Sequence, residues 1–159
     1  MTKIATPRRR KQRQIPIMVV EDNADQWLII RSALTQCFPE VNPVWVNNTA
    51  QMITYLETNA QDASKCPRLI LADLYLPRRE DGWALLDFIG KYNFERKPQV
   101  IILSASQDSE DIAKSYTYNI ASYIVKPGTY HQWLNCFYTF RRYWWEVVSL
   151  PLISQNSDL

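Results

Sequence analysis

Five side chains in this 159-residue chain have the types and the spacing to do chemistry together. Glu21 and Asp22 follow the apolar run IPIMVV. Asp73 closes RLILAD, Ser104 lies near the end of QVIILSA, and Lys126 closes ASYIVK. Each stands where a buried strand would reach its carboxyl end. Three carboxylates brought together repel and raise one another's pKa values. A divalent cation relieves that repulsion, and hard oxygen donors with room for water suit Mg²⁺, which takes one or two carboxylates plus phosphate. An Asp held beside such a cation is a nucleophile for phosphorus. Phosphoryl transfer asks mainly for positioning and charge neutralisation. Lys126 supplies a point charge to a phosphoryl oxygen, and the Ser104 hydroxyl a donor to another.

Something must bring these residues to one place, and the rest of the chain reads as that scaffold. Strands are expected at 15–20, 43–47, 68–73, 99–105 and 121–126. Helices are expected at 24–38, 49–59, 82–92, 109–119 and 129–150. The strands are short continuous apolar runs, as for strands covered on both faces. The first helix repeats apolar residues at Trp27, Ile30, Leu34 and Phe38 until Pro39 stops it, and Thr49 is placed to cap the second. Alternation of β and α five times over implies a doubly wound α/β fold with a parallel sheet, in the flavodoxin-like order 2-1-3-4-5. In such sheets the working groups gather beyond the carboxyl ends of the strands. Glu21, Asp22, Asp73, Ser104 and Lys126 are all there, with Asn47 and Asn48 to one side.

Charge and composition narrow the remaining classes. Nearly half the chain (47%) is apolar and only 3 residues are Gly, so it holds a real core. Six of the 18 basic residues and none of the 16 acidic ones fall at or before Arg13, leaving a mildly acidic domain behind a basic arm. The arm, PRRRKQRQ, has the charge to bind nucleic acid, acidic lipid or an acidic partner. No aromatic residue is interleaved with it and no DNA-reading helix follows. It is therefore read as a solvated, disordered lead-in over 1–14, and nucleic acid is not an expected partner. Cys37, Cys66 and Cys136 are far apart with no zinc spacing, as in a reducing compartment. No stretch reaches the roughly 20 apolar residues of a membrane helix, and the N-terminus is no signal peptide. A cytoplasmic protein without a membrane partner is expected.

Taken in order, VVED (19–22), LILADLYLP (69–77), IILSAS (101–106) and YIVKP (123–127) resemble the receiver domain of two-component response regulators. The resemblance covers roughly Ile15 to Leu150. It implies that Glu21 and Asp22 form the acidic pair, with Asp22 a direct metal ligand. It implies that Asp73 is the phosphoacceptor, that the backbone carbonyl of Tyr75 completes the protein's Mg²⁺ ligands, and that Lys126 binds the phosphate. Ser104 would be the switch hydroxyl, Tyr123 the switch aromatic, and Lys126–Pro127 a cis bond. The partner would be a histidine kinase. Two departures stand out. Gly82 is nine residues after Asp73 where the family commonly has eight, so PRRED lengthens a loop and Arg78 and Arg79 make it basic. Ser replaces the more frequent Thr at 104, which keeps the donor.

The domain is expected over 15–150, with 151–159 a short tail. That leaves no second domain for output, so output would run through protein contacts with a downstream partner. FRRYWWEVVSLP resembles the extended last helix of small response regulators that partner phytochrome-type kinases. Along this helix Tyr130, Trp133, Leu134, Phe137, Phe140, Trp144 and Val148 are read as facing the sheet. Tyr138, Trp145 and part of Tyr143 are left over, and Tyr138 and Trp145 are expected to build a homodimer interface. His131 reads as structural, and Asp81 and Asp87 as solvated. The competing functions are a phosphorylation-independent scaffold with a vestigial site, and a nucleic-acid binder acting through the arm.

Overall fold

The computed structural model describes residues 14–147. Five parallel strands, β1 (Ile15–Val20), β2 (Val41–Val46), β3 (Leu69–Ala72), β4 (Gln99–Ser104) and β5 (Ser122–Val125), lie in the order β2-β1-β3-β4-β5. Helices α1 (Ala24–Cys37), α2 (Thr49–Asn59), α3 (Arg79–Lys91), α4 (Ser109–Tyr116) and α5 (Tyr130–Arg141) alternate with them. This is the expected doubly wound fold. The basic arm before Gln14, the tail after Leu150 and the last turn at 148–150 lie outside the described residues.

The side-chain period of two divides the sheet between two cores. Ile17, Val19, Leu71 and Ile101 face Leu34, Phe38 and Phe137 of α1 and α5. Met18, Val20, Ile70 and Ile102 face Met52, Leu56, Leu85 and Ile89 of α2 and α3. Both faces of β3 are therefore covered, and all four of its residues are buried. That explains the unbroken apolar run LILA. Pro43, which cannot donate to a ladder, lies on the edge strand β2.

Register then sets the site. Val20 is level with Ala72, and Ala72 with Ile102. The next residues continue the ladder: Asp73 N donates to Val20 O at 3.0 Å, Glu21 N to Val46 O at 3.1 Å and Lys126 N to Ser104 O at 2.8 Å. The strand-end residues of four strands are thus held by backbone bonds at one edge of the sheet.

Six expectations are corrected. The helix expected from Gly82 starts at Arg79. Asp81 is not a free surface acid but accepts from the Arg78 backbone N at 3.0 Å, capping that first turn. Gly82 is required by packing, because a Cβ there would collide with the carbonyl oxygen of Leu74. Asn48, not Thr49, caps α2: its side chain accepts from Gln51 N at 2.8 Å, while the Thr49 hydroxyl donates to Asp81 O at 2.9 Å. The cis X-Pro bond is Leu76–Pro77 rather than Lys126–Pro127; the small trans preference of any X-Pro bond leaves the choice to local packing. The single long last helix becomes α5 followed by a π-helical segment, Arg142–Val147. Trp144 is buried and packs on Phe140 at 6.1 Å between centroids. Trp145 meets Phe38 edge-on at 6.3 Å. Trp145 is therefore not left over, although 38% of it stays exposed; Tyr138 (53%) and Tyr143 (54%) are more exposed, Tyr143 with one edge on Trp144 at 5.1 Å.

Candidate phosphoacceptor site

Lys126 is the hub of the strand-end cluster. Its Nζ donates to Glu21 Oε2 at 2.6 Å and to Asp73 Oδ2 at 2.8 Å. The Lys126 side chain is 10% exposed, that of Glu21 2% and that of Asp73 11%. Burial alone would push Lys126 toward the neutral form, but Asp73 and Glu21 outweigh it and hold the lysine above its usual range. Burial raises Glu21 above the usual carboxylate range despite Lys126, with the Asp73 charge adding to the rise. One cation is thus shared between two acids, and Asp22 stands exposed beside them.

Carboxylate oxygens of Glu21, Asp22 and Asp73 all lie within 4.8 Å of one another. Hard, anionic oxygens at that separation fit a small divalent cation, with the exposed Asp22 side open to water. The other sequence-predicted residues are arranged around this cluster. Asp73 Oδ1 accepts from Tyr75 N at 3.1 Å, which ties the Leu74–Tyr75 peptide to the nucleophile; the Tyr75 carbonyl, in the next peptide, is the remaining candidate ligand. Ser104 is fully buried, and its Oγ accepts from Ser106 N at 3.3 Å. Tyr123 is half-buried, with its hydroxyl donating to Ser106 O at 2.8 Å. Asn47 and Asn48 serve the start of α2 instead. His131 is exposed on the flank of α5, away from the cluster.

Sequence reasoning missed two supports. Trp45 Nε1 donates to Glu21 O at 2.8 Å, and Trp27 stacks on Trp45 with centroids 5.6 Å apart and planes 8° off parallel, so two indoles brace the acidic loop. Asp111, in the first turn of α4, is 1% exposed and accepts from Tyr75 Oη (2.9 Å), Arg79 NH1 (2.9 Å) and Ser106 Oγ (2.7 Å). Burial pushes its carboxyl up, but Arg79, Ser106 and Tyr75 together bring it below the usual range. Its signal was faint. In SEDIAKSY the inward positions Asp111 and Ser115 are polar, so no apolar stripe marks the buried face.

Comparison with known proteins agrees with this fold. The model of the response regulator receiver domain matches residues 17–135. The chain is 26% identical over 136 residues to the response regulator Rcp1 of a Synechocystis strain, covering 85% of this chain and 92% of that protein. It is 26% identical over 128 residues to the probable methanogenesis regulatory protein FilR2 of Methanothrix harundinacea, covering 80% and 82%. Among solved structures it resembles the phosphorylated cyanobacterial phytochrome response regulator RcpA, with TM-score 0.75 and 30% identity over 87% of this chain and 99% of that one. The Mn²⁺-bound form of Rcp1 shares the fold, with TM-score 0.73 at 24% identity over 87% and 99%. The acids at the ends of β1 and β3, the hydroxyl closing β4 and the lysine after β5 thus sit in a chain that belongs to the response regulator receiver domain family of two-component signalling.

Proposed function

We propose that Asp73 accepts a phosphoryl group from the phosphohistidine of a histidine kinase. An Asp73 carboxylate oxygen attacks phosphorus as the P–N bond to the kinase imidazole breaks. The imidazole keeps the bonding electron pair, and an acyl phosphate remains on Asp73. The observation that carries this reading is the Lys126 ammonium bridging Glu21 and Asp73, a cation held at the nucleophile by a second acid. Once phosphate is on Asp73, Lys126 is placed to follow the new charge. Glu21, Asp22, Asp73 and the Tyr75 carbonyl would hold Mg²⁺, which when bound neutralises charge between carboxylate and phosphate. The Ser104 hydroxyl would then donate to a phosphoryl oxygen, and Tyr123 would move with the loop that leaves it. Hydrolysis of the acyl phosphate at the same site resets the protein.

The kinase is proposed to be phytochrome-type, on the likeness to the phytochrome response regulator RcpA. The chain acts in the cytoplasm; among the described residues no helix is long and apolar enough to cross a membrane. Its receiver unit spans 15–150, and its output is contact with a downstream protein. A homodimer on α5 and its neighbours is supported by the exposed rings of Tyr138 and Tyr143. The test is labelling with acetyl phosphate and Mg²⁺. The wild type should gain one acid-stable, base-labile phosphate, lost on chelation. Asp73→Asn should gain none, and equal labelling of that variant refutes the assignment.

A further inference from the structure

The buried carboxylate of Asp111 has no part in the chemistry above, yet it joins the two loops that flank Asp73. On one side stand Tyr75, whose backbone N holds Asp73 Oδ1, and Arg79 on the first turn of α3. On the other stands Ser106, which donates its backbone N to Ser104 Oγ and its own Oγ to Asp111, and whose carbonyl takes the Tyr123 hydroxyl. The neighbour of the nucleophile and the neighbour of the hydroxyl are therefore tied through one acid. Asp111 belongs to α4, so the tie anchors α4 and the loop before it to the segment between β3 and α3. Arg79 supplies the compensating cation, its side chain 42% exposed against 1% for Asp111. The basic PRRED stretch, which the phosphotransfer reading leaves unused, here has an occupation.

We propose that Arg79 and Asp111 are a positioning pair: with Tyr75 and Ser106 they latch α4 to the segment after Asp73 and slow phosphorylation by resisting the loop movement that brings Ser104 toward the phosphate. This rests on Asp73 being the acceptor. Any shift of Ser104 carries Ser106 with it, and Ser106 is held by Asp111, which Arg79 and Tyr75 hold in turn. Two-state elements of this kind are biased by the bonds made in one state only.

The variants are Arg79→Gln, which removes the charge; Tyr75→Phe, which removes one donor and keeps the backbone carbonyl; and Arg79→Lys, which keeps the charge. Asp111→Asn is secondary, since a buried site tolerates change poorly. Initial labelling rates with acetyl phosphate and Mg²⁺ should rise about tenfold in Arg79→Gln and in Tyr75→Phe, the scale of one hydrogen bond to a charged group. Arg79→Lys should stay near the wild type. Amide hydrogen exchange of the unphosphorylated protein should quicken at 105–108 in the first two variants only. A residue with a merely structural role would lower the melting temperature without changing the labelling rate. Labelling rates equal to wild type in both Arg79→Gln and Tyr75→Phe overturn the latch. If the wild type itself takes no label, the acceptor reading fails and the effect on phosphorylation with it; faster exchange at 105–108 in the two variants would then uphold only the tie of α4 to the segment after Asp73, and unchanged exchange would overturn that too.

Discussion

Removing the Lys126 ammonium should expose how much of this fold's stability is invested in its site. Lys126→Met keeps the length of the side chain and deletes the charge shared by Glu21 at 2.6 Å and Asp73 at 2.8 Å. At an effective dielectric of about 20, each contact at that distance is worth about 6 kcal/mol of gross attraction. Most is offset by the desolvation of three nearly buried groups, and methionine is spared the lysine's share. What remains is a buried Glu21 without its cation, facing Asp73. Breaking one partner from such a pair costs about 3–5 kcal/mol. We expect the metal-free variant to lose at least about 3 kcal/mol, read by urea denaturation in the presence of a chelator. Millimolar Mg²⁺ should recover more stability in the variant than in the wild type, because the cation would replace the missing positive charge. A metal-free variant within about 1 kcal/mol of the wild type, a loss far below that for breaking a buried pair, would refute the claim that Lys126 holds the acids together. An equal response of both proteins to Mg²⁺ would refute the claim that metal and lysine answer the same repulsion.

Four further outcomes are expected. Gly82→Ala should cost about 2 kcal/mol or more by urea denaturation, since its methyl would meet the Leu74 carbonyl and force α3 from the loop that follows β3. Arg141 holds Glu40 below the usual carboxylate value of 4.5, mainly through their hydrogen bonds. The stability from that pair should be fully present above pH 4.5 and fade as pH falls through the lower folded-state value, and Arg141→Ala should flatten the urea-midpoint profile below pH 4.5. Ser104→Ala should still be labelled on Asp73 but should lose the chemical-shift changes that phosphorylation produces in α4 and β5; wild-type changes would place the switch elsewhere. Tyr138→Ala combined with Tyr143→Ala should lower the sedimenting mass at micromolar concentration from dimer to monomer while the melting temperature stays within a few degrees, because both rings are more than half exposed; an unshifted dimer excludes this face.

The strand-end residues were legible in the one-dimensional text because of a simple regularity. Parallel strands joined by helices all point the same way, so the last residue of each apolar run arrives at the same edge of the sheet. That places Glu21, Asp73, Ser104 and Lys126 together without any knowledge of packing, and the period of two sends Val19 and Val20 to opposite cores. The start of α3 was harder to read, since Arg79, Glu80 and Asp81 are polar whether they form a loop or a first turn. Only the cap from Asp81 to Arg78 decides it. Tertiary structure alone decided that Asp111 is a buried junction, because its three donors come from Tyr75, Arg79 and Ser106, up to 36 residues away in sequence. It alone set Trp45 against the Glu21 carbonyl and turned Trp145 back onto Phe38. Periodicity reports which face of an element is apolar. It does not report which polar group on a neighbouring element meets that face, and that meeting depends on the register and tilt of whole elements.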